Sequence, residues 1–321
     1  MTRAAMAAAL VALASTGARA EPPRPSPSPG GAVKSEERCA EVREGAQVTR
    51  PGLGAAGKAV RLGLVADARD ASPATLGNLE RLAGVFHKER VAAVIALGGL
   101  GATEDEIARV LQALKGAQVP LLALPGDREP EAAWTAALAR VKKAGVDVVD
   151  LAKVRAISSE GIGIVSLPGR PGAHYAAGCR YRAADVEALK ALDAGLVDAA
   201  RPVVLVAHTP PRGHGPDAID WAAGGANDGD LALAKLLGGL SARVGAFGCL
   251  PAAGGRAVDD GKPVAEGAWS ERLYVGVGAV AGRGNGAILE LADGKARWKT
   301  VKPPRPSPPP GGAMKGEGAR P

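Results

Sequence analysis

Aromatic side chains are scarce in this chain: two Phe, three Tyr and four Trp make up 3% of its 321 residues. Its core must therefore be assembled mainly from Ala, Val and Leu, and the 45 Gly and 25 Pro call for many tight turns. Lys and Arg are scattered and not interleaved with aromatics, which argues against a nucleic-acid-binding face. The formal charge of +7 implies no more than loose attraction to anionic surfaces. A G-x-S-x-G elbow is absent, which excludes the usual serine hydrolase of an α/β sheet. Gly52 to Gly57 matches a dinucleotide fingerprint by letters, but it precedes a strand instead of following one, and Gly276 to Gly282 has the wrong spacing. Cysteine is limited to Cys39, Cys179 and Cys249. An odd count allows one bridge plus a free thiol, or no bridge, and the residues alone do not pick a pair.

What is present begins with a leader-like N-terminus. Arg3 precedes an apolar stretch from Ala4 to Ala14, and Ala18-Arg19-Ala20 satisfies the small-x-small cleavage rule. The apolar run is too short to cross a bilayer as a helix, and no Cys follows the cleavage site to carry a lipid. Residues 1–20 are expected to be a signal peptide, leaving an exported, periplasmic or extracellular protein without a transmembrane segment in its mature chain.

Residues 22–36 (PPRPSPSPGGAVKSE) and 303–317 (PPRPSPPPGGAMKGE) are near-copies, identical at 12 of 15 positions. Such composition cannot bury a core. The expected organisation is a signal peptide (1–20), a Pro-rich and polar linker (21–57), a folded domain (58–302) and a disordered Pro-rich tail (303–321). The arms read either as tethers for an envelope or proline-recognising partner, or as solubilising linker.

Between the arms, apolar strand-like runs alternate with amphipathic helices. Strands are predicted at 59–66, 91–97, 120–124, 146–149, 162–167, 203–207, 244–247 and 273–277. Near-continuous Val, Ile, Leu and Ala in the first three predicts strands buried on both faces. Ser72-Pro73 is a helix start, and Thr103-Glu104-Asp105-Glu106 is a capping box. Residues 286–301 predict a hairpin turning at Asp293-Gly294. The alternation argues for an α/β fold of layered, mixed β-sheets flanked by helices.

Ligand-contacting residues in such sheets collect at the carboxyl ends of strands. Five segments sit there: VADARD (65–70), LGGLG (97–101), LPGDRE (124–129), VAHTPPRG (206–213) and FGCLPAAGG (247–255). Their order and spacing resemble the calcineurin-like metallophosphoesterases, which build a two-metal site from D-x-H, G-D, G-N-H-D/E, an isolated His and G-H-x-H. The resemblance covers about residues 58–302 and implies that family's fold, with a degenerate site. The first motif falls on Asp67-Ala68-Arg69, the bridging Asp on Gly99, and the third motif on Gly126-Asp127-Arg128-Glu129. His208 matches the isolated His, and the last motif falls on Gly248-Cys249-Leu250-Pro251.

The resemblance therefore implies one metal site reduced to Asp67 and a second retaining Asp127, His208 and Cys249. Asp, His and thiolate are acceptable zinc ligands; equally, a buried His and a small Cys can simply fill a vacated cavity. Arg69 and Arg128 stand where the family has a metal-binding and a catalytic His. They are expected either to bind an anion or to turn inward and pair with Asp67 or Asp127. Placing Cys249 in this inner set leaves Cys39 and Cys179 for a bridge, should one form. No cofactor is expected; zinc or manganese is the metal should one bind.

His87, in a predicted helix, reads as a packing residue, and His174 and His214 lie in Gly/Pro-rich loops. The functional expectation is a catalytically impaired relative acting as a binding or structural envelope component. The alternatives are a divergent single-metal phosphohydrolase and a module acting through the Pro-rich arms.

Overall fold

A computed structural model describes residues 39–172, 178–196, 201–222, 224–249 and 255–302. The signal-peptide segment, both Pro-rich arms, His174, Leu250 and Pro251 lie outside the described residues. The first half of the chain runs β1 (Gln47–Thr49), β2 (Val60–Val65), α1 (Pro73–Lys88), β3 (Ala93–Leu97), α2 (Glu104–Ala113), β4 (Leu121–Leu124), α3 (Glu131–Lys143), β5 (Val148–Asp150), β6 (Ala156–Ser158), β7 (Gly163–Leu167) and β8 (Arg170–Pro171). The second half adds β9 (Arg180–Tyr181), α4 (Ala183–Ala194), β10 (Val203–Ala207), α5 (Leu231–Leu237), β11 (Val244–Phe247), β12 (Arg256–Asp259), β13 (Lys262–Pro263), β14 (Leu273–Gly276), β15 (Gly286–Ala292) and β16 (Lys295–Val301).

These strands form two mixed sheets. One has the order β16-β15-β2-β3-β4-β5 and the other β1-β6-β7-β10-β11-β14-β12-β13, while β8 and β9 pair separately. The sheets meet face to face. Leu62, Leu64, Ile95, Leu97, Leu122 and Leu124 of the first share a core with Ile164, Val204, Val206, Val244 and Ala246 of the second. Helices α1, α2 and α3 cover the outer face of the first sheet, through Leu79, Leu82, Phe86, Ile107, Val110 and Trp134. Helices α4 and α5 cover part of the other outer face, through Val186, Leu189, Leu233 and Leu236. A helix–sheet–sheet–helix sandwich buries each central strand on both sides, which is why those strands read as unbroken apolar runs. Each fully buried Leu or Val contributes about 1.5–3 kcal/mol, so aliphatic residues suffice where aromatics are few.

The local signals behave as their chemistry requires. Ser72 caps α1 by accepting from the Thr75 N–H, with Pro73 opening the helix. Thr103 and Glu106 close a reciprocal capping box on α2. β15 and β16 pair antiparallel with Ala292 opposite Lys295, leaving Asp293 and Gly294 as the two turn residues, both at positive φ. That is the conformation a two-residue hairpin demands.

The linker boundary is corrected. Residues 39–57, assigned to a polar linker, are built into the domain. β1 pairs in parallel with β6, and Leu53 is fully buried. The buried Arg155 guanidinium donates to the Ala40 carbonyl and to the Ser166 carbonyl. Cys39 is bonded to Cys179, 140 positions further along the chain, with Cα atoms 5.5 Å apart, and Cys249 is a buried free thiol. A bridge closing so long a loop contributes on the order of 2–5 kcal/mol. No helix among the described residues is long and apolar enough to cross a membrane.

Candidate functional site

The carboxyl ends of β2, β3, β4, β7, β10 and β11 open onto one rim of the sandwich. Backbone hydrogen bonds lace their loops together. The Asp67 N–H donates to the Gly98 carbonyl and the Arg69 N–H to the Gly99 carbonyl, at 3.0 and 2.7 Å. Three non-glycine residues here, Asp67, Arg69 and Cys249, hold positive φ angles of 51°, 65° and 54°. Such conformations cost energy and persist only where the surroundings impose them.

His208 is the centre of the site and is fully buried at the end of β10. Its Nδ1–H donates to the Leu97 carbonyl at 2.8 Å, which turns Nε2 toward Asp127 Oδ1 at 3.3 Å. The ring is walled by Gly98 and Gly126, where any Cβ would press into the imidazole. Burial by itself pushes His208 down. The neighbouring Cys249 and the hydrogen-bonded Asp127 outweigh it and hold the imidazole well above its ordinary value. Asp127, His208 and Cys249 each offer a ligand atom, and these lie within 4.8 Å of one another. The four residues singled out for the rim come together here, because Asp67 shares electrostatic contact with both His208 and Asp127.

Of the two expectations for the arginines, the inward ion pair with Asp67 or Asp127 is corrected. Arg69 and Arg128 are exposed and form no ion pair among the described residues. Both charges nonetheless act on the buried Asp67, opposing the upward push of burial on its carboxyl. The guanidinium in the pocket belongs to Arg170, which follows β7 in the run LPGRPG. Arg170 Nη1 lies 3.2 Å from Cys249 Sγ and 3.4 Å from Asp127 Oδ2, and Nη2 lies 2.9 Å from Asp228 Oδ2. Its loop is fastened by the Arg170 N–H to Cys179 carbonyl bond, next to the disulfide. The missed signal was positional: LPGRPG is also a strand end, beside the strand carrying His208.

Glu129, the last residue of the third motif, ties two of the rim loops together. It is buried, and accepts from the Leu100 and Gly101 N–H groups of the LGGLG loop and the Gly126 N–H of the LPGDRE loop. Burial pushes its carboxyl up, against the pull of His208 and the three N–H donors.

Whether these residues fit a metal is decided by Arg170. The donor types suit zinc, and a His anchored through Nδ1–H to a carbonyl is a common support for a metal ligand. A guanidinium already hydrogen-bonded to the thiol and the carboxylate competes for two of the three donors. As the side chains stand, Arg170 engages two of the three atoms a metal would need. The other half of the site is crowded too. A Cβ at Gly99, the position of the family's bridging carboxylate, would overlap Asp67 Oδ1, which fills that space.

The charges set a pH dependence. Burial pushes Asp127 up, but the His208 hydrogen bond and the charges of His208 and Arg170 overcome it, lowering it from 3.8 to about 2. A depressed carboxylate contributes stability above its unfolded value and loses it as pH falls through its folded value. Asp127→Asn should therefore destabilise most above about pH 4, with the difference from wild type shrinking toward pH 2. Chemical denaturation across that range measures it; a constant difference would show that Asp127 carries no such linkage.

No protein-family model matches the chain, and no curated protein matches it. Solved structures do. TT1561 of Thermus thermophilus is 14% identical, with a TM-score of 0.52 over 77% of this chain and 100% of its own. A dimetal phosphatase from Danio rerio is 14% identical, with a TM-score of 0.51 over 76% and 99%. GAP50, described as the anchor in the inner membrane complex of Plasmodium, is 11% identical, with a TM-score of 0.52 over 77% and 85%. At these identities the likeness shows the fold, and that fold is metallophosphoesterase-like.

Proposed function

We propose that this metallophosphoesterase-fold chain is an exported binding or structural component of the cell envelope, whose former metal pocket is held by an internal cation and does not hydrolyse phosphoesters. The observation that carries this reading is Arg170, hydrogen-bonded at once to Asp127 and Cys249. A two-metal mechanism needs a bridging carboxylate and an activated water between two cations. Here the bridge position is Gly99, its space belongs to Asp67, and one positive charge comes from the chain itself. Arg69 and Arg128 stay outside, exposed at the mouth, where a guanidinium is suited to hold an anion without acting as an acid. Export follows from the Arg3 to Ala20 leader pattern. The described anchor role of GAP50 supports a non-enzymatic use of this fold.

Metal analysis of the purified mature protein, with a broad phosphoester screen, tests the reading. The expected result is zinc and manganese well below one ion per chain, and turnover no higher in wild type than in His208→Ala. Near-stoichiometric metal together with His208-dependent hydrolysis would establish the single-metal phosphohydrolase instead.

A further inference from the structure

On the outer face of the eight-stranded sheet, α5 is seven residues long, and its Leu233 and Leu236 share a core with Val258 of β12 and Tyr274 of β14. The segment 211–222 reaches the same strands. Ile219 packs on Gly276, and the Arg256 guanidinium donates to the Pro216 carbonyl. Between this segment, α5 and the strands lies a cleft of about 440 Å³, a volume within the range of small-molecule sites. It is separate from the His208 pocket and shares none of its residues.

The lining has two parts. Ile219, Val258 and the ring of Tyr274 form an apolar floor. Arg212, Lys235 and Arg272 stand round the rim. Arg272 pairs with Asp260 at 3.0 Å; Asp260 is largely open to water and Arg272 is half-buried, so solvent screens the pair. Arg212 donates through Nε to the Gly229 carbonyl and forms a long ion pair, 3.9 Å, with the buried Asp220, which also accepts from Asn227 and Gly229. Lys235 is exposed with no ion pair among the described residues. The Tyr274 hydroxyl has no hydrogen-bond partner among the described residues and reaches solvent at the cleft.

An apolar floor, a phenol at the cleft and a basic rim, in which Arg212 and Arg272 are paired with Asp220 and Asp260 while Lys235 has no ion pair among the described residues, favour one kind of ligand. We infer that this cleft binds a small amphiphilic anion, an apolar body ending in a carboxylate, sulfonate or phosphate group. The apolar body lies on Ile219, Val258 and Tyr274, and the head group meets Lys235 and Arg272 with the Tyr274 hydroxyl donating to it.

Titration of the full mature chain with anilinonaphthalene sulfonate tests this, read by its fluorescence at native pH. One saturable site is expected, displaced by decanoate and not by decanol. Lys235→Glu and Arg272→Glu should each weaken binding by about tenfold or more, and Ala234→Leu, which narrows the cleft from α5, should weaken it with both rim charges in place. Lys235 is exposed and Arg272 half-buried, and circular dichroism confirms that the variants fold. Arg140→Glu, on the far surface of α3, should bind as wild type. The inference is overturned if no saturable binding is found or decanol competes as well as decanoate. It is equally overturned if the rim variants bind normally while Arg128→Glu abolishes binding, which would move the anion to the His208 pocket.

Discussion

Arg170→Ala is expected to destabilise the protein by about 2–4 kcal/mol in the presence of chelator and to turn it into a zinc binder. The Arg170 side chain is 11% exposed and Asp127 is 19% exposed, so the pair is largely withdrawn from water. Removing one partner of a buried pair typically costs about 3–5 kcal/mol, because the other charge is left without compensation; partial exposure of Asp127 lowers that figure. The same change frees both donors that the guanidinium occupies, leaving Asp127, His208 and Cys249 within 4.8 Å and facing one another. Zinc that binds only the folded variant should restore about 2.7 kcal/mol at a hundredfold excess over its dissociation constant. Thermal unfolding with and without zinc measures both effects, and wild type should respond little. Arg170→Lys should fall between the two, since an ammonium keeps the charge but cannot fork between thiol and carboxylate. If wild type gains as much from zinc as the alanine variant, Arg170 is not occupying the place of a metal.

The division between what was legible and what was not follows the range of the interactions. Ser72 and Thr103 announce their helices because a cap is completed within three residues. Asp293-Gly294 announces its hairpin because the turn itself demands positive φ. Asp127, His208 and Cys249 could be expected to meet because strand ends of one sheet share a rim. By contrast, residues 39–57 look like linker, with Arg50-Pro51-Gly52 and little periodicity. They are held by contacts made far along the chain: Cys39 to Cys179, Ala40 to Arg155, and β1 to β6. The arginine in the pocket failed for the same reason. Arg69 and Arg128 occupy the motif positions, but a side chain's direction is set by local φ and by loop packing, neither of which a motif encodes. Arg170 sits on a strand end that no motif marks, and its loop is fixed by Cys179 and the pairing of β8 with β9. Charge balance required a cation near Asp127; only the tertiary structure chose which one.

Restoring the missing bridging carboxylate by Gly99→Asp is expected to lower stability by roughly 3 kcal/mol or more and to recover no hydrolysis. Gly99 has φ +69°, a conformation in which any side chain is strained, and a Cβ there would overlap Asp67 Oδ1 and press on its Cα at 3.1 Å. Backbone strain of this kind costs about 1–3 kcal/mol, before Asp67 is displaced. The new carboxylate would also stand beside Asp67, whose pKa burial already raises. A second negative charge makes its ionised form still less favourable. Gly99→Ala separates the contributions: it carries the strain and the overlap without the charge, and should account for most of the loss. Denaturant titration of the two variants, with phosphoester turnover in zinc and in manganese, reads every part of the argument. Were Gly99→Asp to fold as stably as wild type and gain metal-dependent turnover, the pocket would be an active site lacking a single ligand. Loss of stability without turnover, shared largely by Gly99→Ala, means that Asp67 has closed the bridge position and that one substitution cannot reopen it.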